Sequence, residues 1–146
     1  MSTLTHRIKT IRVSNAVAVG TTTIASDVVD TAGYDGVRFI VAFGAITDGT
    51  PNVQGQQGLQ SDGSDMADLA NTDVAMADTD DNKLGILEIN HPRERYVRAR
   101  VVRGGVTGCV IDGIVAELFN GRAQAVAKDA TVGAQEIHDA PAEGTA

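Results

Sequence analysis

The residues best suited to chemistry in this chain are three histidines, one cysteine and two acidic runs. His6, His91 and His138 fall near the N-terminus, in a turn and in the C-terminal stretch. None has a partner at a catalytic spacing, so solvated imidazoles are expected. Cys109 opens an apolar run and reads as a small packed hydrophobe. A lone cysteine forms no intrachain disulfide, so nothing calls for an oxidising compartment. Asp78-Thr-Asp80-Asp81-Asn82 begins like a calcium loop. Such a loop needs glycine at its sixth position and a carboxylate at its twelfth. Lys83 and Ile89 stand there instead, so a solvated acidic turn is expected. Asp62, Asp65 and Asp68 follow no ligand spacing and read the same way. There is no G-x-S-x-G, no phosphate-binding glycine loop and no paired-cysteine metal signature. The expectation is a protein without catalytic residues, metal or cofactor.

What remains is adhesion. Arg93, Arg95, Arg98, Arg100 and Arg103 crowd one short stretch, opposed within it only by Glu94. Eight aspartates lie between positions 48 and 81 with no basic residue among them. These two regions can be solvated faces that pair weakly within the fold, at about 0–1 kcal/mol per exposed pair. The other reading is a charge-complementary docking surface. Both readings stay open. Arg98 and Arg100 alternate with apolar residues, which places a basic stripe on one exposed strand face. The stripe has no interleaved aromatics, so stacking on a nucleic-acid strand is not expected. The net charge of −7 argues the same way. Val126, Val132 and Ile137 are spaced along an otherwise polar tail, where they can order against a neighbour or stay solvated.

The elements that must carry these residues are strands. With 146 residues, a single domain with a substantial core is expected, residues 1–120, followed by an arm, residues 121–146. Only 3% of residues are aromatic, so valine, isoleucine, leucine and alanine must fill the core. Ile11, Val13, Val17 and Val19 recur at period two. Residues 37–43, VRFIVAF, are apolar on both faces and predict a central strand covered on both sides. Weak edge strands are expected around Asn52–Leu59 and Val74–Ala77, because a structureless loop through residues 44–83 is improbable. Residues 84–89 and 96–102 are strands. Residues 109–119 form another, with Val110, Ile114, Ala116 and Leu118 on one face and Ile111, Val115 and Phe119 on the other. Val97, Ala99 and Val101 face inward. Helical periodicity is weak, and only the tail is left free to be helical. The fold class predicted is all-β: one antiparallel β-sandwich or jelly roll with an extended C-terminal arm. No leader peptide and no run of about 18 apolar residues is present, so a soluble protein made in a cytoplasm, without a membrane partner, is expected.

Several segments resemble a recurrent small protein of tailed phages. They are Asp30-Thr-Ala-Gly-Tyr-Asp-Gly36 running into VRFIVAFGAIT, GQQGLQSDGSDMADL at 55–69, DTDDNKLGILEI at 78–89 and RERYVRARVVRG at 93–104. Their order matches too, and the likeness spans roughly residues 27–119. It is to jelly-roll capsid decoration, or cement, proteins. It implies a virion structural protein on the outer capsid surface, partnered by the major capsid protein and by itself as a dimer or trimer. It carries over no catalytic residue. A tail, collar or head-completion protein, or a small ligand-binding β module, are the alternatives. Gly108–Gly113 also faintly resembles the uracil-binding segment of trimeric dUTPases. Residues 114–116 lack the tyrosine that segment needs, so no such activity is implied.

Overall fold

The computed structural model describes residues 3–145. A short helix, α1 (Leu4–Arg7), precedes eleven strands. These are β1 (Lys9–Ser14), β2 (Val17–Gly20), β3 (Ile24–Ala25), β4 (Val29–Asp30), β5 (Gly36–Ile46), β6 (Asn52–Gly58), β7 (Ala67–Asp68), β8 (Val74–Ala75), β9 (Leu84–Asn90), β10 (Tyr96–Val102) and β11 (Cys109–Phe119). All pairings are antiparallel. Sheet A runs β1-β11-β5-β9, with β2 also on β11. Sheet B runs β3-β10-β6-β7, with β4 also on β10 and β8 on β6. The two sheets enclose one core, an all-β sandwich as the sequence predicts.

Period-two burial makes that core. In β5, Val37, Phe39, Val41 and Phe43 are buried. In β10, Val97, Ala99 and Val101 meet them from the opposite sheet. Burying each such large side chain contributes roughly 1.5–3 kcal/mol. β5 is central within sheet A, yet only one of its faces is fully covered. Ile40 and Ala42 are half-buried on the side away from the core.

Three expectations need correction. The strand at Asn52–Leu59 exists as β6, but it is interior: β10 flanks one side, β7 and β8 the other. In β11 the phase reverses midway. Ile111 lies in the core with Ile114, Ala116 and Leu118, while Val110 turns outward. The cause is an inserted residue: Ile111 pairs with Phe43 and Gly113 with Ala42, so Asp112 is unmatched. Gly113 takes φ +151 at this bulge, a conformation that L side chains rarely adopt. The run from Ile11 to Val19 is likewise broken by a register shift after Arg12, and Val19 ends half exposed.

Several aspartates of the acidic segment are turn staples. The Asp65 carboxylate accepts N–H bonds from Leu59 and Gln60. Asp80 accepts from Ala77 and from Lys83 Nζ, whereas Asp81 accepts the Ile46 N–H at 2.6 Å. Asp80 and Asp81 thus serve different partners. Among the described residues, no three His, Cys, Asp or Glu side chains converge as a metal ion requires. Asp48 gathers the N–H groups of Val106, Thr107 and Gly108, which fixes the β10–β11 turn. The Gly108 and Thr107 N–H groups hold its carboxyl below the ordinary carboxylate range.

Candidate docking surfaces

The arginine cluster divides into three environments. Arg98 and Arg100 lie on the outer face of β10, as the alternation predicts. They face Gln56 and Gln54 across the β10–β6 ladder. Arg98 Nε donates to Gln56 Oε1 at 2.7 Å, and Arg100 Nη2 donates to Gln54 Oε1 at 2.5 Å. Each glutamine then donates its Nε2 onward, Gln56 to Asp68 at 2.7 Å and Gln54 to Asp73 at 2.8 Å. Asp68 closes the circuit by accepting from Arg100 Nη2 at 3.2 Å. The outer face of sheet B is therefore a polar lattice whose groups largely satisfy one another. Here the weak-pairing reading of the acidic and basic segments describes the geometry.

Arg95 is exposed and clamps Asp30 with two bonds of 2.8 Å, its guanidinium 5.3 Å from the Tyr96 ring centroid. That bond to Arg95 holds the Asp30 carboxyl below its ordinary range despite partial burial. Asp30 and Thr31 open the turn into β5, so this pair closes the turn onto β10. Arg93 is exposed beside Pro92 and His91.

Arg103 corrects the sequence reading. It is only 3% exposed and cannot belong to an external basic patch. Its Nε donates to the Thr22 carbonyl at 2.8 Å, and its Nη1 to the carbonyls of Ala18 and Cys109 at 2.7 and 2.9 Å. Nη2 donates to Thr22 Oγ1 at 2.9 Å. Four acceptors on three residues, from two stretches of chain, thus converge on one buried cation. The sequence held the signal: Arg103 shares odd parity with Val97, Ala99 and Val101, all inward. Beside it, burial pushes the Cys109 thiol up, opposed by the Arg103 charge, which leaves the sulfur a packed hydrophobe.

The outer face of sheet A is the chemical opposite of sheet B. The ladder registers line up Arg12, Val115, Ile40 and Ile86 as one row across four strands. The next row holds Gly113, Ala42 and Leu84. Leu84 is 57% and Ile86 46% exposed. On the other side, Arg38 sits between Glu117 and Glu88 and is bonded to Glu117. An apolar band so bordered is what a docking surface presents. The sequence reading missed it, because LGILEI is apolar at both parities and only the fold reveals which parity faces out.

The arm approaches this band from the β1 side. Val126 N–H donates to the His6 carbonyl at 3.0 Å, Lys9 pairs with Asp129 at 3.2 Å, and Arg12 N–H donates to Thr131 Oγ1 at 2.9 Å. Burial raises the Asp129 carboxyl, but the Thr131 N–H and hydroxyl and the Lys9 ammonium outweigh it and hold it low. Val126 and Val132 are half-buried. Val132 reaches a groove of about 450 Å³ lined also by Arg12, Ile40, Ala42 and Val115. Ile137 is 43% exposed. The arm thus folds back through residue 132 without helix, and Val126 and Val132 already have partners in their own chain.

No known family model, curated protein or solved structure matches the chain.

Proposed function

We propose that this chain is a virion structural protein, a decoration protein that binds the outer surface of a tailed-phage head and clamps neighbouring capsid subunits. One observation carries most weight: the turns that resemble that family are mechanical parts. Asp30 ties its turn to Arg95, Asp65 ties the 59–65 turn, and Asp81 ties the β8–β9 connection to β5. A chain whose distinctive residues all brace a small β body is suited to bearing load.

The strand order supports the jelly-roll form of the sandwich. Counting β1 with β2, β3 with β4, and β7 with β8 as interrupted single strands turns eleven strands into eight. Their order is then first-eighth-third-sixth in sheet A and second-seventh-fourth-fifth in sheet B. That is the alternation of a double Greek key. The two outer faces suit different tasks. The polar lattice of sheet B favours solvent, while the apolar band of sheet A favours protein. Homo-oligomers bound at many equivalent lattice positions would sum weak contacts into firm attachment.

The test is a comparison of complete particles with particles lacking this protein. The reading expects the chain at high copy number in purified virions and a lower heat and low-salt tolerance without it. Particles equally robust in its absence would remove the clamping role. Immunogold label confined to the neck or tail would move the protein to another virion part.

A further inference from the structure

The sandwich has four sheet edges and treats them unequally. In sheet B one edge is made of β3 and β4 and the other of β7 and β8, each only two residues long. Edges so short offer an incoming strand almost no ladder. In sheet A the β1 edge is occupied by the arm, through Arg12 N–H on Thr131 and the Lys9–Asp129 pair. The β9 edge has none of these protections. It runs seven residues, Leu84–Asn90, with no proline, no lysine and no register shift against β5.

Its backbone is set for pairing. Phe43 N–H donates to the Lys83 carbonyl at 3.0 Å and His91 N–H to the Asp35 carbonyl at 2.8 Å. These bonds bracket the β5–β9 ladder and assign its inward bonds to odd-numbered residues of β9. In an antiparallel ladder the alternate residues point their N–H and C=O groups the other way. Leu84, Ile86, Glu88 and Asn90 therefore present theirs to the free edge. No other strand among the described residues pairs with β9. Two of them, Leu84 and Ile86, carry the exposed end of the apolar band.

We infer that β9 is a self-association edge, and that two copies pair β9 to β9, antiparallel, about a two-fold axis at Ile86. This rests on the homo-oligomer reading above and adds the surface that makes it. A second copy is the occupant the residues favour. Centring on Ile86 makes Ile86 face Ile86, so the Val115–Ile40–Ile86 row of each molecule continues into the other. Glu88 then lies opposite Leu84 of the second copy, and no like charges are opposed. The pairing matches even-numbered residues with even-numbered ones, as their outward backbone groups require. An isologous contact of this kind uses both free edges at once and closes, so it stops at two rather than growing into a fibre.

The test uses the full chain. Sedimentation velocity from roughly 1 μM to 1 mM should show a monomer–dimer equilibrium. Hydrogen exchange should show the amides of Leu84, Ile86 and Glu88 protected at the high end and released on dilution. Ile86→Lys places a charge at the axis on a side chain already half in solvent, so far-UV circular dichroism should stay unchanged. Dimerisation should weaken about 10- to 100-fold. Ile86→Cys should yield a covalent dimer with a short thiol–thiol cross-linker, since facing residues of a hydrogen-bonded pair lie about 5.5 Å apart. A wild-type monomer across the whole range, with those three amides exchanging freely, would overturn the inference. So would a dimer that Ile86→Lys leaves intact. Protection that arises only when capsid shells are added would also overturn it, by giving the edge to a shell strand. Shell binding is scored separately. A monomeric Ile86→Lys that still binds shells leaves the decoration reading standing. A wild-type dimer that binds none overturns that reading alone.

Discussion

Replacing Arg103 with methionine removes a buried cation of nearly the same length while keeping apolar volume. Four acceptors then lose their donor: the carbonyls of Ala18, Thr22 and Cys109 and the Thr22 hydroxyl. The Cys109 carbonyl is the most enclosed, and a buried acceptor left unpaired costs about 1–3 kcal/mol. The Ala18 and Thr22 carbonyls are nearer solvent, where water replaces part of the bond and the loss is about 0.5–1.5 kcal/mol each. Relief of the arginine's own desolvation offsets some of this, because burying an ion is itself unfavourable. The expected net loss is about 2–4 kcal/mol. For a chain of this size that lowers Tm by roughly 4–16 °C. Arg103→Lys should fall between, since its single ammonium cannot span four acceptors on three residues. Urea unfolding followed by far-UV circular dichroism reads the difference directly. An Arg103→Met protein within about 0.5 kcal/mol of wild type would refute the clamp and restore Arg103 to the exposed cluster.

Asp81→Ala should destabilise by about 1–3 kcal/mol in the same assay, because the Ile46 N–H loses its 2.6 Å acceptor in a partly buried place. Gly108→Ala should lose about 3 kcal/mol or more, or fail to fold, since φ is +82 there and a Cβ would strike the Gly20 carbonyl. Soluble, wild-type-like Gly108→Ala would contradict the β2–β11 approach. The arm should detach in acid. Asp129 is held low in the folded chain, so its contribution is complete above its ordinary value of 3.8 and is lost as pH falls through the lower folded value. Limited proteolysis by an acid-active protease should therefore cut residues 121–132 faster below about pH 4. Lys9→Met should bring the same sensitivity at neutral pH, and a pH-independent cutting rate would count against the docked arm.

Where one strand face is apolar and the other polar, the sequence was legible to the residue. Tyr96–Val102 illustrates this: Val97, Ala99 and Val101 point in, and Arg98 and Arg100 point out. Legibility failed where parity was broken or ambiguous. A single unmatched residue at Asp112 exchanged the faces of Val110 and Ile111, and only the partner strand's register reveals it. Composition groups Arg103 with its neighbours, although its parity points to the core. β9 gave the opposite difficulty: Leu84 and Ile86 alternate with Gly85, Leu87 and Ile89, so neither face declared itself. Edge or interior position is a property of the whole sheet, and for that reason β6 and β9 were the strands whose places the sequence left least defined.

The position of β11 has a consequence for how the chain is made. It is the last of the eleven described strands in chain order, yet it sits between β1 and β5 and joins the first of them to a central strand of the sheet. Until residue 119 has left the ribosome, sheet A is missing an interior plank, and both flanking strands show raw backbone. Closure of sheet A must then wait for β11, and is slow in the manner of proteins dominated by distant contacts. A nascent chain stalled before Cys109 would be sticky rather than partly built.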